Sequence, residues 1–322
     1  MVGREGLTLR YLPAPILKRI SALIDQKTHL YQSSYNALSR RYRNQNDNKK
    51  LLSQSESLAY LLARLPATTE VLGYAFEQVK KLTTLNFSSY LDIGCGPGAS
   101  YWVAKDLFPS LCSFSFLEAN PFMYDLLVSL IEKNPSIEFF NSDARKVTFT
   151  GTHDLVSFSY SLGEMDQQQD VLDKYWNLTT KALIITEPGT PVGFKTLLNA
   201  RKFLINSGAF IVAPCGHNAP CPLENAPKDW CHFSTRLERS PVHKTLKKST
   251  LAYEDEKFVY LIATKEPFAI PGLRILKRPL KGKGHVRLDL CTPEGIEKRT
   301  VSKSKAEEYK ECKTKEWGDL VE

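Results

Sequence analysis

The residues best suited to chemistry fall into two groups. The first is the run Leu91-Asp92-Ile93-Gly94-Cys95-Gly96-Pro97-Gly98. A short apolar strand over residues 90–93 feeds directly into alternating glycines. That pattern puts a tight turn at the carboxyl edge of a parallel sheet, where ligands bind and where glycine lets them approach the backbone. The spacing is shorter than the G-x-G-x-x-G of a dinucleotide site and lacks the Gly-Lys-Ser/Thr of a phosphate loop, so no pyrophosphate cradle is indicated. Glu118 falls at the end of the second strand, where a carboxylate can accept hydrogen bonds from both ribose hydroxyls. Asp143 follows the third strand, where it could meet an adenine amino group. Each acid alone is more often a loop or capping residue. As a set, Asp92, Gly94, Gly96, Gly98, Glu118 and Asp143 are the candidate cofactor-binding residues.

The second group is sulfur. Cys215, Cys221 and Cys231 lie within 17 residues, with Cys291 far along the chain, at spacings of 5, 9 and 59 intervening residues. Prolines and few strong helix formers between the first three suggest a loop folded around a metal. Structural zinc sites usually show C-x2–4-C knuckles, and none occurs here. Four thiolates at irregular spacing suit an iron–sulfur cluster at least as well. His217 and His232 keep zinc in play through mixed Cys/His ligation. Unconnected buried thiols are the plain alternative, and Cys95, Cys112 and Cys312 are read that way.

Glycine turn, Glu118 and Asp143 in this order resemble class I S-adenosylmethionine-dependent methyltransferases. Members that methylate amino groups of bases often carry Asp/Asn-Pro-Pro-Tyr/Phe after the fourth strand. Here that position reads Ser157-Phe158-Ser159-Tyr160-Ser161-Leu162. The Pro-Cys of cytosine-carbon methylation is missing from this stretch too. Tyr160 could line a pocket and Glu164 could serve as a base, but the catalytic residues stay unassigned. Cofactor binding is better supported than turnover.

The elements that must position these residues read in three parts. Residues 1–66 form a helical N-terminal region, with apolar helical spacing at Ile16-Leu17-Ile20-Leu23-Ile24 and at Leu58-Ala59-Leu61-Leu62. Between them, Arg40-Arg41-Tyr42-Arg43 could grip phosphate or simply be a solvated helix face. Pro66 is expected to end the second pattern, with a further helix over 69–82. Residues 67–265 alternate strands (90–93, 113–117, 137–140, 155–158, 182–186, 209–212, 257–263) with helices, including 122–132 and 194–205. Such alternation predicts an α/β domain with a parallel sheet covered on both faces. The cysteine-rich segment, about 213–245, becomes an insertion between the last two strands. Residues 266–322 form a small basic module with an alternating strand at 286–290 and a charged helix over 303–315.

The chain has 322 residues, 42% hydrophobic and 24% charged, which excludes global disorder, collagen and a disulfide miniprotein. No apolar run approaches the roughly 20 residues of a membrane helix. The start has no continuous apolar region of a secretory signal, so the cysteines are expected to stay reduced. The net charge of +8 is uneven. Residues 1–65 carry 11 Lys+Arg against 4 Asp+Glu, residues 272–322 carry 13 against 9, and the middle carries 19 against 22. Two basic ends around a near-neutral body suggest a phosphate-rich partner such as nucleic acid; solvated faces are the equally simple reading.

A more specific resemblance lies in Pro220-Cys221-Pro222-Leu223, Asp229-Trp230-Cys231-His232-Phe233, Arg236-Leu237-Glu238-Arg239-Ser240 and Tyr253-Glu254-Asp255-Glu256-Lys257-Phe258. With Ala63-Arg64-Leu65-Pro66-Ala67-Thr68 and Trp317-Gly318-Asp319, these resemble the ribosomal small-subunit-associated methyltransferase-like family. That family includes mitochondrial methyltransferase-like protein seventeen, its yeast small-subunit counterpart and bacterial relatives. The resemblance implies a class I methyltransferase (Rossmann-like) fold binding S-adenosylmethionine. It also implies a [4Fe–4S] cluster on Cys215, Cys221, Cys231 and Cys291, with zinc as the alternative. The implied partner is the small ribosomal subunit through its rRNA, met by Arg274, Lys277, Arg278, Lys281, Lys283 and Arg287. Two functions follow from it: an assembly factor that uses cofactor and cluster structurally, or an rRNA methyltransferase. A zinc-dependent RNA-binding protein is a third. A monomer in the cytoplasm, with no membrane partner, is expected; the mitochondrial matrix is the alternative.

Overall fold

The computed structural model describes residues 10–24, 28–43, 53–226, 228–239 and 241–322. Helices α1 (Ala14–Ile24) and α2 (Thr28–Arg43) precede the long helix α3 (Gln54–Leu82). The side chains of Arg41, Tyr42 and Arg43 lie outside the described residues. Ser53 caps α3 by accepting from the Glu56 amide, the Ser-x-x-Glu arrangement that satisfies an orphan N–H at a helix start.

Pro66 does not end this helix; α3 runs through it without a break. A proline removes one amide donor, here the one that would reach the Leu62 carbonyl, and normally costs about 3 kcal/mol. Burial outweighs that cost. Leu61, Leu65, Val71, Leu72, Ala75, Phe76 and Val79 are all at most 2% exposed, and Thr69 Oγ1 donates to the Leu65 carbonyl at 2.7 Å.

After α3 come β1 (Ser89–Ile93), α4 (Ala99–Leu107), β2 (Ser113–Leu117), α5 (Pro121–Leu130), β3 (Ile137–Phe140) and β4 (His153–Ser159). They continue with α6 (Gln168–Leu178), β5 (Thr179–Pro188), α7 (Pro191–Asn206), β6 (Phe210–Ala213), β7 (Phe233–Glu238), α8 (Pro241–Lys247) and β8 (Tyr253–Thr264). The sheet order is β3-β2-β1-β4-β5-β8-β6. Strands β1 to β5 run parallel, and β8 is antiparallel to both β5 and β6. That order, with one reversed strand slotted in near the edge, is the class I methyltransferase fold. Strand residues alternate between two cores, as a period of two requires. Ala182 and Ile184 face the α3–α5 side, whereas Leu183 and Ile185 face α6 and α7.

The cysteine-rich insertion leaves after β6 and returns through β7, which pairs with the N-terminal half of β8 while β6 pairs with its C-terminal end. The remaining chain forms β9 (Leu273–Ile275), β10 (Leu280–Gly282), β11 (His285–Thr292), β12 (Gly295–Ser302), α9 (Ala306–Thr314) and β13 (Leu320–Val321). This second, five-stranded sheet has its own small core of Ile275, Val286, Leu288, Leu290 and Val301. No helix among the described residues is long and apolar enough to cross a membrane.

One expected surface cation belongs to neither surface nor solvent. Arg274 on β9 is 1% exposed. Its Nε donates to the Pro214 carbonyl at 2.8 Å, and its Nη1 donates to Gln78 Oε1 at 2.9 Å and the Gly318 carbonyl at 2.7 Å. The guanidinium thus ties the C-terminal sheet to α3 and to the start of the insertion. Lys277, Arg278, Lys281, Lys283 and Arg287 are exposed, as a basic face requires.

Candidate functional site: a glycine-turn cleft and a four-cysteine centre

The glycine turn sits where the strand order reverses between β1 and β4, the crevice at which open α/β sheets bind ligands. Gly94, Gly96 and Gly98 all have positive φ, at 69°, 54° and 84°. The Gly94 and Cys95 amides both donate to the Leu117 carbonyl at the end of β2, at 2.8 and 3.1 Å. Glu118 lies next to them. Its carboxylate accepts from the Gly96 amide and the Asn120 amide, both at 2.8 Å. Burial raises its pKa above the ordinary value, while these amides pull it back. Asn120 in turn caps α5, accepting from the Phe122 and Met123 amides.

Gly94, Gly96, Glu118 and Asp143 line one cleft. Asp143 holds Arg145 through two side-chain contacts of 3.0 and 2.6 Å, which keep its carboxyl low, at about 2. Gly98 starts α4 against Leu127 and Ile131, away from the lining. Asp92 is fully buried under the turn; Ser100 Oγ donates to one oxygen, and Ser157 Oγ to the other at 2.5 Å. It positions the turn by joining β1, α4 and β4.

Burial pushes the Asp92 carboxyl up to about 6, against the serine hydrogen bonds. An acid raised on folding stabilises the fold most below its unfolded pKa, and that contribution is lost as pH rises from about 4 through about 6. Asp92→Asn should therefore gain stability relative to wild type across this window, by roughly 2–3 kcal/mol. Thermal melts of both proteins at pH 4.5 and 7.5 check this; a constant offset would show that Asp92 is ionised without penalty.

The far wall of the cleft contains residues the sequence reading did not single out for it. Tyr60, Leu65, Thr68 and Leu72 of α3 line it opposite the glycine turn. Leu65 and Thr68 belong to the Ala63–Thr68 run that carries part of the family resemblance; Tyr60 and Leu72 have no such signal. Tyr160 and Glu164 line the same space. Arg64 lies over the Tyr160 ring at 5.7 Å and pairs with Glu256 of β8 at 2.9 Å, so α3 is fastened to the mouth of the cleft.

The second site is the insertion. Cys215, Cys221, Cys231 and Cys291 all line one cavity, walled by Phe194, Leu223 and Leu276. None is in a disulfide. At the edge of the cavity, one ligand atom each from Cys215, His217 and Cys291 lie within 4.8 Å of one another, although His217 does not line it. Cys291 Sγ is 3.5 Å from His217 Nε2. The bond from the Cys291 thiol pulls the Cys215 thiol down and pushes Cys291 up. Soft sulfur donors in an apolar pocket fit zinc or iron–sulfur ligation, and the nearby imidazole fits mixed zinc ligation. Cys95 lies in the glycine turn, Cys312 is buried in the C-terminal core and Cys112 is exposed. His232 stacks on Trp230, with ring centroids 5.0 Å apart, and meets Trp317 edge-on at 4.9 Å, next to Lys277 and Arg278.

The family described as mitochondrial small ribosomal subunit Rsm22 matches residues 54–322. A human protein named ribosome assembly protein METTL17, mitochondrial, is 27% identical over 297 residues, covering 82% of this chain and 62% of that protein. Rsm22-cox11 tandem protein 2, mitochondrial, of Schizosaccharomyces pombe is 24% identical over 332 residues, covering 85% and 44%. The chain thus spans less than two thirds of either relative. Among solved structures, a precorrin-6y C5,15-methyltransferase from Geobacter metallireducens aligns with 16% identity and a TM-score of 0.42, covering 61% of this chain and 89% of that one.

Proposed function

The chain belongs to the mitochondrial small ribosomal subunit Rsm22 family, and from that premise we propose that it is an assembly factor of the small ribosomal subunit, acting through rRNA. In this reading the glycine-turn cleft holds S-adenosylmethionine, with Gly94, Gly96, Glu118 and Asp143 at the ligand and Asp92 and Gly98 shaping the turn. Cys215, Cys221, Cys231 and Cys291 hold a [4Fe–4S] cluster, which supplies a rigid cross-link and a one-electron couple. The observation that carries the proposal is the convergence of three insertion cysteines and one from the C-terminal sheet on a single cavity. A centre there would lock the 266–322 module onto the methyltransferase-like domain of 67–265. Exposed Lys277, Arg278, Lys281, Lys283 and Arg287 would then face rRNA phosphates in one orientation.

Two variants of the reading have their own support. Tyr160 and Glu164 in the cleft favour an active rRNA methyltransferase. The compact Cys215–His217–Cys291 group favours zinc and an RNA-binding role. The relatives are named as mitochondrial proteins, which supports the matrix over the cytoplasm as the compartment.

The test is sedimentation of the full chain with immature small subunits in the presence of methyl-labelled S-adenosylmethionine. The expected result is co-sedimentation that weakens steeply between 50 and 200 mM salt, as counterion release requires, with no label in the rRNA. Label in the rRNA would establish the methyltransferase reading instead. Absence of binding at low salt would overturn both.

A further inference from the structure

Two arginines beside the four-cysteine cavity are buried in a way that their visible partners do not explain. Arg201 on α7 is 5% exposed and lines that cavity; Arg274 on β9 is 1% exposed. Arg201 Nη2 donates to the His217 and Ala219 carbonyls, both at 2.7 Å. Arg274 donates to the Pro214 and Gly318 carbonyls and to the Gln78 amide oxygen. Every one of these acceptors is neutral. Among the described residues, neither guanidinium has a carboxylate within ion-pair distance. Each also keeps one buried nitrogen without a partner, Nε of Arg201 and Nη2 of Arg274.

An arginine cannot shed its proton inside a protein, so it cannot escape the cost of burial by becoming neutral. A buried, unpaired charge costs several kcal/mol. The compensating charge must come from something else nearby. The sulfurs are the available source. Both guanidiniums act electrostatically on Cys215; Arg201 also acts on Cys221, and Arg274 on Cys231. Four thiolates around either a zinc ion or an oxidised [4Fe–4S] core carry two negative charges overall. Two guanidiniums carry two positive ones. A centre with two thiolates and two imidazoles on zinc would be neutral and leave both arginines uncompensated. Three thiolates and one imidazole would leave one.

We propose that Arg201 and Arg274 are the paired counter-charges of a dianionic four-thiolate centre, and that His217 stays outside the ligand set as a neighbour of Cys291. This rests on the reading of the four cysteines as a metal centre and adds what balances its charge. The two side chains also hold the ligand loop itself, since Pro214, His217 and Ala219 flank Cys215 and lead to Cys221. They are positioning residues in both senses: they fix the loop backbone and set the potential in which the sulfurs sit.

The test uses the full chain purified anaerobically, as wild type and as Arg201→Gln, Arg274→Gln, Arg274→Lys and His217→Ala. Iron, sulfide and zinc are measured first. With an iron–sulfur centre, each glutamine variant is expected to shift the reduction equilibrium at least tenfold towards the oxidised form, about 59 mV lower for a one-electron couple. With zinc, each should lose zinc to a competing chelator at a tenfold lower chelator concentration. Arg274→Lys keeps the charge but not the fork, so it should stay near wild type in either readout; a purely structural role would make it behave like glutamine. His217→Ala should keep full metal. Should Arg274→Gln fail to fold, Arg201→Gln and Arg274→Lys still decide the matter. A loaded wild type whose glutamine variants keep their potential or zinc affinity removes the counter-charge assignment alone. Loss of metal in His217→Ala overturns the four-thiolate ligand set. A wild type that takes up neither iron–sulfur nor zinc removes the metal reading, and the counter-charges with it.

Discussion

If the four cysteines hold a metal as proposed, Cys291→Ser is expected to strip it from the chain and release the C-terminal sheet from the methyltransferase-like domain. Cys291 is the one cysteine of the cavity that comes from β11, and it is 3% exposed. The other three come from the insertion. A serine oxygen is a poor ligand for a soft metal site. Metal ligation at such sites is coupled to folding, so lost ligation appears as lost structure. Metal content should fall from one centre per chain to nearly none. Limited proteolysis should then cut rapidly within residues 266–272, where the connection between the sheets is exposed. The sheets should not separate completely, because Arg274 still bonds to Pro214 and Gln78, and the Tyr74 hydroxyl to Gly318. Cys312→Ser is the matched control. Cys312 is just as buried, in the C-terminal core, and a hydroxyl there should cost about 1–3 kcal/mol while leaving the metal in place. Unchanged metal and unchanged proteolysis in Cys291→Ser would remove the cross-link.

The contrast between these two cysteines shows what could be read from the chain and what could not. The parallel strands were legible because they are short apolar runs bounded by glycine and acid, and the turn after β1 because its glycines alternate. Cys291 could be counted as a fourth candidate thiolate from the sequence, but only the family resemblance implied it as a ligand beside the other three, since 59 residues separate it from Cys231 and no local rule spans that distance. Two local rules misled. The rule that proline stops helices fails at Pro66 because the helix there is buried on almost every side. Counting Arg274 with its basic neighbours assumed that a cation is solvated, and its position on β9 turns it inward instead. The strand β7 and helix α8 carry weak patterns, because each is short: β7 packs on β8 and α3, and α8 on α2 and α3. The α3 wall of the cleft was hidden for a different reason. Tyr60 and Thr68 have ordinary core spacing, and only the path of the helix past β4 brings them opposite the glycines.

If the cleft holds S-adenosylmethionine as proposed, Gly94→Ala is expected to be more damaging than a methyl at Gly98, lowering affinity by at least about 100-fold, an effect worth roughly 2.7 kcal/mol. The added Cβ would lie 2.4 Å from Ser161 Cβ and 3.0 Å from its Oγ. Neither atom is the loose end of a long side chain, and the Ser161 hydroxyl is committed to the Ile93 carbonyl at 2.6 Å. Relief therefore means moving the end of β1 away from the segment after β4, which changes the shape of the turn. The positive φ adds about 1–2 kcal/mol of strain for alanine, and overpacking about 1–3 more. Gly98→Ala meets the terminal methyls of Ile131 and Leu127, both at 2.8 Å, and these can swing aside more cheaply. Gly96→Ala meets no protein atom within 4 Å, so within the fold it costs only the strain at its φ of 54°, but its methyl enters the cleft that Gly96 lines. Gly94→Ala is expected to lose more affinity than Gly98→Ala. Calorimetric titration with S-adenosylmethionine, on variants shown to be folded by circular dichroism, reads that order. Wild-type affinity in a folded Gly94→Ala would place the cofactor away from this turn. If the cofactor is a structural ligand, the same variant should also lose small-subunit binding, because Tyr60 and Thr68 of α3 would face an unfilled cleft. If the cofactor is only a methyl donor, Gly94→Ala should bind the subunit normally and fail to label it. The two functional readings therefore separate on one substitution.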